Sequence, residues 1–206
     1  MKPRIEQKLE IKKSEYFAMM NWIKLKGGKI IFPERIICST YFDNFKRDMF
    51  FDTNEGLIPR KKIRIRTYNT RNFLNSNSKY NLEIKLTTEN KRYKEIRKDI
   101  EPLKFINQGI HDCLYGICLP LIEISYTREY FKIENFRLTI DKDIVYRTPF
   151  NGKDNFNNDI NDDYYVVEIK TDINQDDDYI RNLFEFPRSK FSKYERGVEA
   201  LYKTLI

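Results

Sequence analysis

The strongest constraint on the fold is a two-residue alternation of apolar and charged side chains, which recurs in five separate segments of the sequence. In residues 4–12, for example, Ile5, Leu9 and Ile11 alternate with acidic and basic residues. Successive side chains of a β-strand point to opposite faces, so this spacing predicts a strand with one apolar face and one charged face. The other segments with this pattern are 61–68, 81–86, 136–141 and 164–170. Together they predict a fold of the α+β class that is mainly antiparallel β.

Signals for helices are fewer than signals for strands. Ser14 is predicted to cap a helix over residues 15–25, which the two glycines at 27 and 28 then end. Pro102 suits the first turn of a second helix, and the apolar spacing after it predicts that this helix continues to Leu114. Further predicted elements are short helices at 176–184 and from about Ser192 to the C-terminus, and loops at 69–81 and 151–163.

Composition excludes several classes of protein. Hydrophobic residues make up 40% and aromatic residues 15% of the 206 residues, which is too much apolar material for a disordered chain. The sequence contains no apolar stretch long enough to cross a membrane and no secretory signal, so we expect a cytoplasmic protein. The length suits one domain over residues 1–206, and the three cysteines are expected to be free thiols. The net charge of +7 points to an anionic partner.

The only histidine, His111, gives no support to a histidine-based catalytic mechanism. It falls inside the helix predicted from Pro102 to Leu114, and the sequence offers no neighbouring nucleophile or metal ligands for it. We therefore interpret His111 as structural. Glycine-rich nucleotide-binding motifs and the HExxH zinc motif do not occur either.

The charged faces of the predicted strands allow two interpretations. In the simpler one, an antiparallel sheet turns its apolar face to a core and its charged face to water. The placement of Arg and Lys at strand centres, repeated in nearly every strand, instead favours a sheet that closes into a barrel around a cationic lumen. Burying so many like charges is tolerable only if a polyanion or counter-charges neutralise them.

Eight short segments then occur in an order that matches a known family. They are EQK at 6–8, STYFD at 39–43, KIRIRTY at 62–68, LEIK at 82–85, YTREY at 126–130, RLTID at 137–141, VEIK at 167–170 and KFSKY at 190–194. Their order and their span of nearly the whole chain resemble the polyphosphate-polymerase domain of the vacuolar transporter chaperone (VTC) family, within the triphosphate tunnel metalloenzymes. The related thiamine-triphosphatase and class IV cyclase branch has an ExExK strand, whereas this chain has Arg4 at the first Glu position, which favours the VTC branch.

The resemblance implies a closed eight-stranded tunnel barrel with a polar, charged lumen and helices packed outside. It also implies binding of nucleoside triphosphate and inorganic polyphosphate together with Mn²⁺ or Mg²⁺. By position, the family's phosphate-binding residues correspond to Lys8, Arg64, Arg66, Lys85, Arg128, Arg137, Lys190 and Lys193. Glu168 corresponds to the metal ligand, and Glu6, on the face of Lys8, is a second candidate. Arg64, Arg66, Lys85 and Glu168 are the predicted catalytic residues.

Three of the basic residues are assigned on weaker grounds. Lys170 joins the set because it shares a strand face with Glu168. The family has a basic pair in the strand after Lys85, and among the basic residues of 91–98 we assign Arg97 to it. Arg128 shares the parity of Ile122 and Ile124, which predicts either a bulge in that strand or a different register.

The predicted function is that of a metal-dependent, polyphosphate polymerase-like phosphotransferase. Its acceptor would be the end of a polyphosphate chain, and with water as the acceptor the same site would be an inorganic tri- or polyphosphatase. A non-catalytic polyphosphate-binding module is the third possibility. Nucleic acid is not an expected partner, because Lys and Arg alternate within strands and do not cluster in a helix or a tail.

Overall fold

The structure is a computed structural model that describes residues 4–74, 78–149, 159–172 and 191–202. Within these residues the strands are β1 (Arg4–Lys12), β2 (Lys29–Asp43), β3 (Arg60–Tyr68), β4 (Asn81–Thr87), β5 (Arg92–Arg97), β6 (Ile110–Asp112), β7 (Gly116–Ile133), β8 (Phe136–Arg147), β9 (Ile160–Asn161) and β10 (Tyr164–Asp172). The helices are α1 (Tyr16–Leu25), α2 (Asp48–Glu55), α3 (Pro102–Gln108) and α4 (Lys193–Tyr202). None of the helices in the described ranges is long and apolar enough to span a membrane.

The strands form one mainly antiparallel sheet, which confirms the predicted α+β class. The main path of hydrogen-bonded neighbours has the order β1-β10-β8-β7-β2-β3-β4-β5, while β6 pairs with β7 and β9 with β8. The described pairings end at β1 on one side and at β5 on the other. The closed eight-stranded barrel therefore stays a prediction.

The chain divides into two compact units, and β2, β7 and β8 contribute residues to both. Of the described residues, unit 1 contains 4–35, 126–144, 161–172 and 191. Unit 2 contains 36–74, 78–125, 145–149, 159–160 and 192–202. The single domain over residues 1–206 stays a prediction.

Unit 1 buries the apolar face of its strands under helix α1. Leu9, Val167 and Leu138 lie on neighbouring strands, and all three are fully buried with Met19 and Ile23 of α1. The helix begins after a 3₁₀ turn over Lys13–Glu15, with Glu15 at the N-cap, so the prediction that Ser14 caps it is wrong. The predicted glycine ending is confirmed, because Gly27 adopts a left-handed φ of 68° and the amide of Gly28 donates to Ile23.

Unit 2 buries the apolar face of β2, β3 and β4. Its core includes Phe42, Ile63, Ile65 and Leu82, with Met49 of α2 packed into the same cluster. Helix α2 has no counterpart among the predicted elements. It is fixed by Asp43, whose carboxylate accepts hydrogen bonds from the amides of Met49 and Phe50.

Helix α3 is shorter than predicted. It ends at Gln108, because Gly109 follows with a left-handed φ of 76° and the short strand β6 begins directly after it. His111 therefore lies exposed on β6 and not inside a helix, which corrects its predicted placement.

Helix α4 confirms the helix predicted from about Ser192, and the predicted helix at 176–184 lies outside the described residues. Gly197 lets α4 approach the sheet closely. A Cβ atom at that position would lie 2.7 Å from the ring of Tyr146 and 2.8 Å from Ile122.

Candidate functional site

The polar face of unit 2 gathers five cations on three neighbouring strands. In the register, Lys62 of β3 lies opposite Lys85 of β4, and Lys85 lies opposite Lys94 of β5. Arg64 and Arg66 lie two and four residues along β3 from Lys62, so all five side chains share one face. Like charges that lie directly opposite each other on a sheet are destabilising unless a counter-charge is present.

A single buried carboxylate, that of Glu83, is the counter-charge for three of these cations. Its side chain accepts hydrogen bonds from Arg64 (Nε to Oε2, 2.8 Å) and from Lys94 (Nζ to Oε1, 3.1 Å), and Nη1 of Arg66 lies 3.5 Å away. Burial opposes ionisation of Glu83, but Arg64, Arg66 and Lys94 outweigh it and lower the pKa to about 2. Glu83 thus stays negatively charged beside these three cations.

The same face carries a tyrosine pair next to Arg64. Nη1 of Arg64 donates a hydrogen bond of 2.7 Å to the hydroxyl of Tyr41, whose ring stacks on that of Tyr194 with 5.1 Å between centroids. The hydroxyl of Tyr194 in turn donates to Asp43 at 2.5 Å. Burial raises the pKa of Tyr41, but Arg64, Arg66 and Lys62 outweigh this effect and bring it down to about 8.

Helix α4 lies on this charged face. Nζ of Lys62 is 2.9 Å from Oγ of Ser192 and 3.1 Å from Oε1 of Glu195, and it lies over the ring of Tyr194. The prediction that the helices cover the apolar side of the sheet is therefore wrong for α4. The apolar residues that α4 buries, such as Val198, explain its position, since Ile122 and Tyr146 offer apolar contacts there.

Unit 1 has a charged face of its own, centred on Glu168. The register places Lys8 of β1 opposite Glu168 of β10, and Lys170 opposite Arg137 of β8. Glu168 is 9% exposed and its Oε1 lies 2.6 Å from Nζ of Lys170. Burial opposes its ionisation, but Lys170, Arg128 and Lys8 lower the pKa of Glu168 to about 2.

Arg128 belongs to this face of unit 1. Its guanidinium makes a two-point contact with Asp141 of β8, with 2.5 Å from Nε to Oδ1 and 2.7 Å from Nη2 to Oδ2. Ile122, which shares its parity on β7, lies in unit 2 beside α4. Ile122 can share a strand face with Arg128 because it packs against helix α4 there. Arg128 therefore remains on the charged face of unit 1.

The structure therefore brings together most of the predicted site residues within each unit. Unit 1 holds Lys8, Arg128, Arg137, Glu168, Lys170 and the exposed Glu6, and unit 2 holds Arg64, Arg66, Lys85 and, at the start of α4, Lys193. Lys190 lies outside the described residues.

Arg97 is the predicted residue that the structure does not bring to the charged face. It lies opposite Leu82, on the face of the apolar side chains, and pairs with Glu95 at 2.8 Å. Lys94, and not Arg97, lies on the charged face, opposite Lys85. The basic residues of 91–98 occur at both parities, so only the pairing with β4 distinguishes them.

Several residues of the two faces were not assigned by sequence reasoning, namely Tyr41, Lys62, Glu83, Lys94 and Asp141. The alternation did contain a signal for Lys62 and Glu83, because both occupy the charged parity of their strands. Tyr41 had no such signal, since β2 is buried on both faces from Cys38 to Asp43 and shows no alternation there.

The carboxylates suit a divalent metal only in combination with phosphate. In the described part of the chain, no group of three or more His, Cys, Asp or Glu side chains could hold a metal ion. Glu168 is ionised at neutral pH, and Glu6 occupies the diagonal position on the neighbouring strand. Mg²⁺ commonly binds one or two carboxylates plus substrate phosphates, and oxygen ligands also suit Mn²⁺, so this donor set fits such an ion once a phosphate chain is present.

Comparisons with known proteins give a family match and matches to solved structures, two of which are described below. The family model described as VTC domain matches residues 3–202. A candidate adenylate cyclase from Vibrio parahaemolyticus is 14% identical, with a TM-score of 0.49, and the alignment covers 95% of this chain and 97% of that one. The Mediator head module of Schizosaccharomyces pombe contains a chain with 8% identity and a TM-score of 0.49, covering 98% of this chain and 95% of that one. No curated protein sequence matches.

Proposed function

Since the chain belongs to the VTC domain family, we propose that it is a polyphosphate polymerase-like phosphotransferase. It would bind a nucleoside triphosphate such as ATP and transfer the terminal phosphate to the end of an inorganic polyphosphate chain. The family match supports a polyphosphate-related or triphosphate-binding function. The transfer reaction and the closed tunnel barrel are proposed in addition to that function.

The observation that supports it best is the excess of positive charge on the polar face of unit 2. Five cations lie there with two carboxylates, those of Glu83 and Glu195, and three lysines lie side by side across the strands. A bound phosphate chain would add negative charge beside these cations. Arg64 and Arg66 offer paired N–H donors that match phosphate oxygens, while Lys85 adds a point charge.

In this proposal the face of unit 2 would position the phosphates. Phosphoryl transfer needs little covalent participation by the protein, because positioning and stabilisation of charge on the transferred group lower the barrier. Arg64, Arg66 and Lys85 would hold the phosphate oxygens and stabilise the charge that develops on them. Glu83 would keep the two guanidinium groups oriented before substrate binds, since it accepts hydrogen bonds that fix Arg64.

The face of unit 1 would bind phosphate through donors of its own and would carry the metal ligands. Lys8, Arg128, Arg137 and Lys170 are the proposed donors, with Lys193 and Lys190 added from the C-terminal segment. Glu168, with Glu6 as a second ligand, would hold Mn²⁺ or Mg²⁺. Such an ion, when bound, bridges phosphate oxygens and neutralises charge on them.

The ion pair between Glu168 and Lys170 favours a second candidate, a non-catalytic polyphosphate-binding module. At 2.6 Å the lysine neutralises the carboxylate without any metal. Such a module would retain the basic face and would have no turnover.

The deciding experiment is incubation of the protein with ATP and Mn²⁺, followed by assays for long-chain polyphosphate and for free phosphate. Polyphosphate is the expected product. Free phosphate alone would identify a hydrolase, and tight polyphosphate binding without either product would identify the binding module. Glu168→Gln should abolish turnover and leave polyphosphate binding intact, whereas Arg97→Gln, on the opposite strand face, should change neither.

A further inference from the structure

Lys62 is a cation of the unit 2 face that contacts helix α4 and the residue before it. Its Nζ lies 3.1 Å from Oε1 of Glu195 and 2.9 Å from Oγ of Ser192. The side chains of Lys62 and Glu195 are 26% and 15% exposed, so this ion pair is accessible from solvent yet largely shielded from it. Shielding makes such a pair stronger than a fully exposed one.

The two carboxylates on this face differ in how firmly they are held. Glu83 lies on a central strand, is 6% exposed and contacts three cations, so its removal from the cluster would leave all three uncompensated. Glu195 lies in the first turn of α4, and among the described residues its carboxylate contacts one cation, Lys62. Glu195 is therefore the carboxylate that an incoming anion can replace at the lower cost.

We propose that Glu195 is an internal competitor of the phosphate chain, whose carboxylate holds Lys62 until a phosphate group takes its place. The inference rests on the proposed phosphate-binding function of the unit 2 face and assigns Lys62 to that site. Lys62 lies two residues from Arg64 on the same strand face, roughly 7 Å along β3, so one phosphate chain can reach both side chains.

This exchange would set the affinity of the site. A phosphate group gains the charge-assisted hydrogen bond to Lys62, but it has to displace the contact with Glu195 and remain close to that negative charge. Glu195 thus lowers the affinity for phosphate chains. Without a ligand, the negative charge of Glu195 also reduces the repulsion between Lys62 and Lys85, which lie opposite each other on β3 and β4.

The test is a double-mutant cycle read out as affinity for inorganic tripolyphosphate by titration calorimetry. Glu195→Gln keeps the size of the side chain and removes its charge, so we expect about threefold to tenfold tighter binding. In the Lys62→Gln background the same change should have little effect, because the competed cation is gone. Glu199→Gln is the matched control, since it removes one exposed negative charge from the same helix.

The outcomes separate this inference from the proposed function. Unchanged or weaker binding by Glu195→Gln, or a gain that persists in the Lys62→Gln background or appears equally in Glu199→Gln, would overturn the competitor role while wild-type binding stands. If neither the wild-type protein nor Glu195→Gln bound tripolyphosphate, the phosphate-binding function itself would fail, and the inference with it.

Discussion

Glu83 is the residue on which the charged face of unit 2 depends. Its side chain contacts Arg64, Arg66 and Lys94, and these cations keep it ionised although it is buried. Hydrogen bonds between charged groups typically contribute about 1.5–3 kcal/mol, and removing one partner also leaves the others uncompensated. A neutral side chain at this position should therefore destabilise the ligand-free protein and increase its dependence on an added anion.

We expect Glu83→Gln to lower the free energy of unfolding by about 2 kcal/mol, as measured by urea denaturation. Tripolyphosphate should recover more stability in this variant than in the wild-type protein, because it replaces the lost negative charge. Glu95→Gln is the control, since the Glu95–Arg97 pair is more than half exposed and should change stability by less than about 0.5 kcal/mol. Equal effects of the two substitutions would contradict the role given to Glu83.

Tyr41 reports on the same cluster through its ionisation. The neighbouring cations lower its pKa to about 8, whereas burial raises the pKa of Tyr194 and of Tyr16. We expect ultraviolet difference spectroscopy to detect a tyrosine ionisation near pH 8. This transition should be absent from the Tyr41→Phe variant. A bound polyanion cancels part of the cationic field, so tripolyphosphate should raise this pKa. A midpoint that does not move on saturation would show that the anion binds elsewhere.

At the scale of elements, helix α4 determines what the unit 2 face offers to a ligand. It carries Tyr194, which stacks on Tyr41, and Glu195, which contacts Lys62. Its position depends on Gly197, because the sheet approaches the helix so closely there that any β-carbon would collide with Tyr146 or Ile122. The helix therefore links core packing to the arrangement of the cations.

Gly197→Ala should destabilise the protein by about 1–3 kcal/mol, since the added methyl group forces the helix or the ring of Tyr146 to move. The same shift should weaken tripolyphosphate binding and disturb the near-ultraviolet circular dichroism of the tyrosine pair. Glu199→Ala, on the exposed side of α4, should change stability by less than about 0.5 kcal/mol. A Gly197→Ala variant as stable as the wild-type protein would mean that α4 packs less closely than described.

The sequence was most informative about strands whose two faces differ in polarity. β1, β3, β4 and β10 alternate over most of their length, and their predicted positions agree with the structure to within two residues at either end. β2 and β7 were not delimited in advance, because both are buried on both faces over long stretches and periodicity is lost there. Helix α2 was missed because its first amides donate to the side chains of Asp43 and Asn44, which precede the helix by several residues, while the N-cap residue Arg47 makes no side-chain cap hydrogen bond.

Strand parity also predicted only part of the candidate site. Strand parity placed Arg64, Arg66, Lys85 and Glu168 on charged faces, as the structure does. Parity could not choose among the basic residues of β5, because the register with β4 decides which of them faces Lys85. The contact of α4 with the charged face depends on tertiary packing, so no local pattern in residues 192–202 predicts it.

At the scale of the whole molecule, the structure shows where part of the net charge of +7 lies. Cations line the polar strand faces of both units, and each face holds one buried carboxylate whose pKa is lowered to about 2. An evenly spread basic surface would bind many anions weakly, and salt would screen it strongly. Cations oriented by buried carboxylates should instead select a phosphate chain, so binding should depend on particular arginines and lysines and not on the total charge.

The most direct test of that claim compares two arginines of unit 2 on opposite strand faces. Arg66 is 7% exposed beside Glu83, and Arg97 pairs with the exposed Glu95. With tripolyphosphate affinity measured by titration calorimetry, Arg66→Gln should weaken binding about tenfold or more, since one charge-assisted contact contributes roughly 1.5–3 kcal/mol. Arg97→Gln should leave the affinity within about twofold of the wild-type value. Unchanged affinity in a folded Arg66→Gln variant, or an equal loss in both variants, would contradict the assignment of the charged face as the phosphate-binding site.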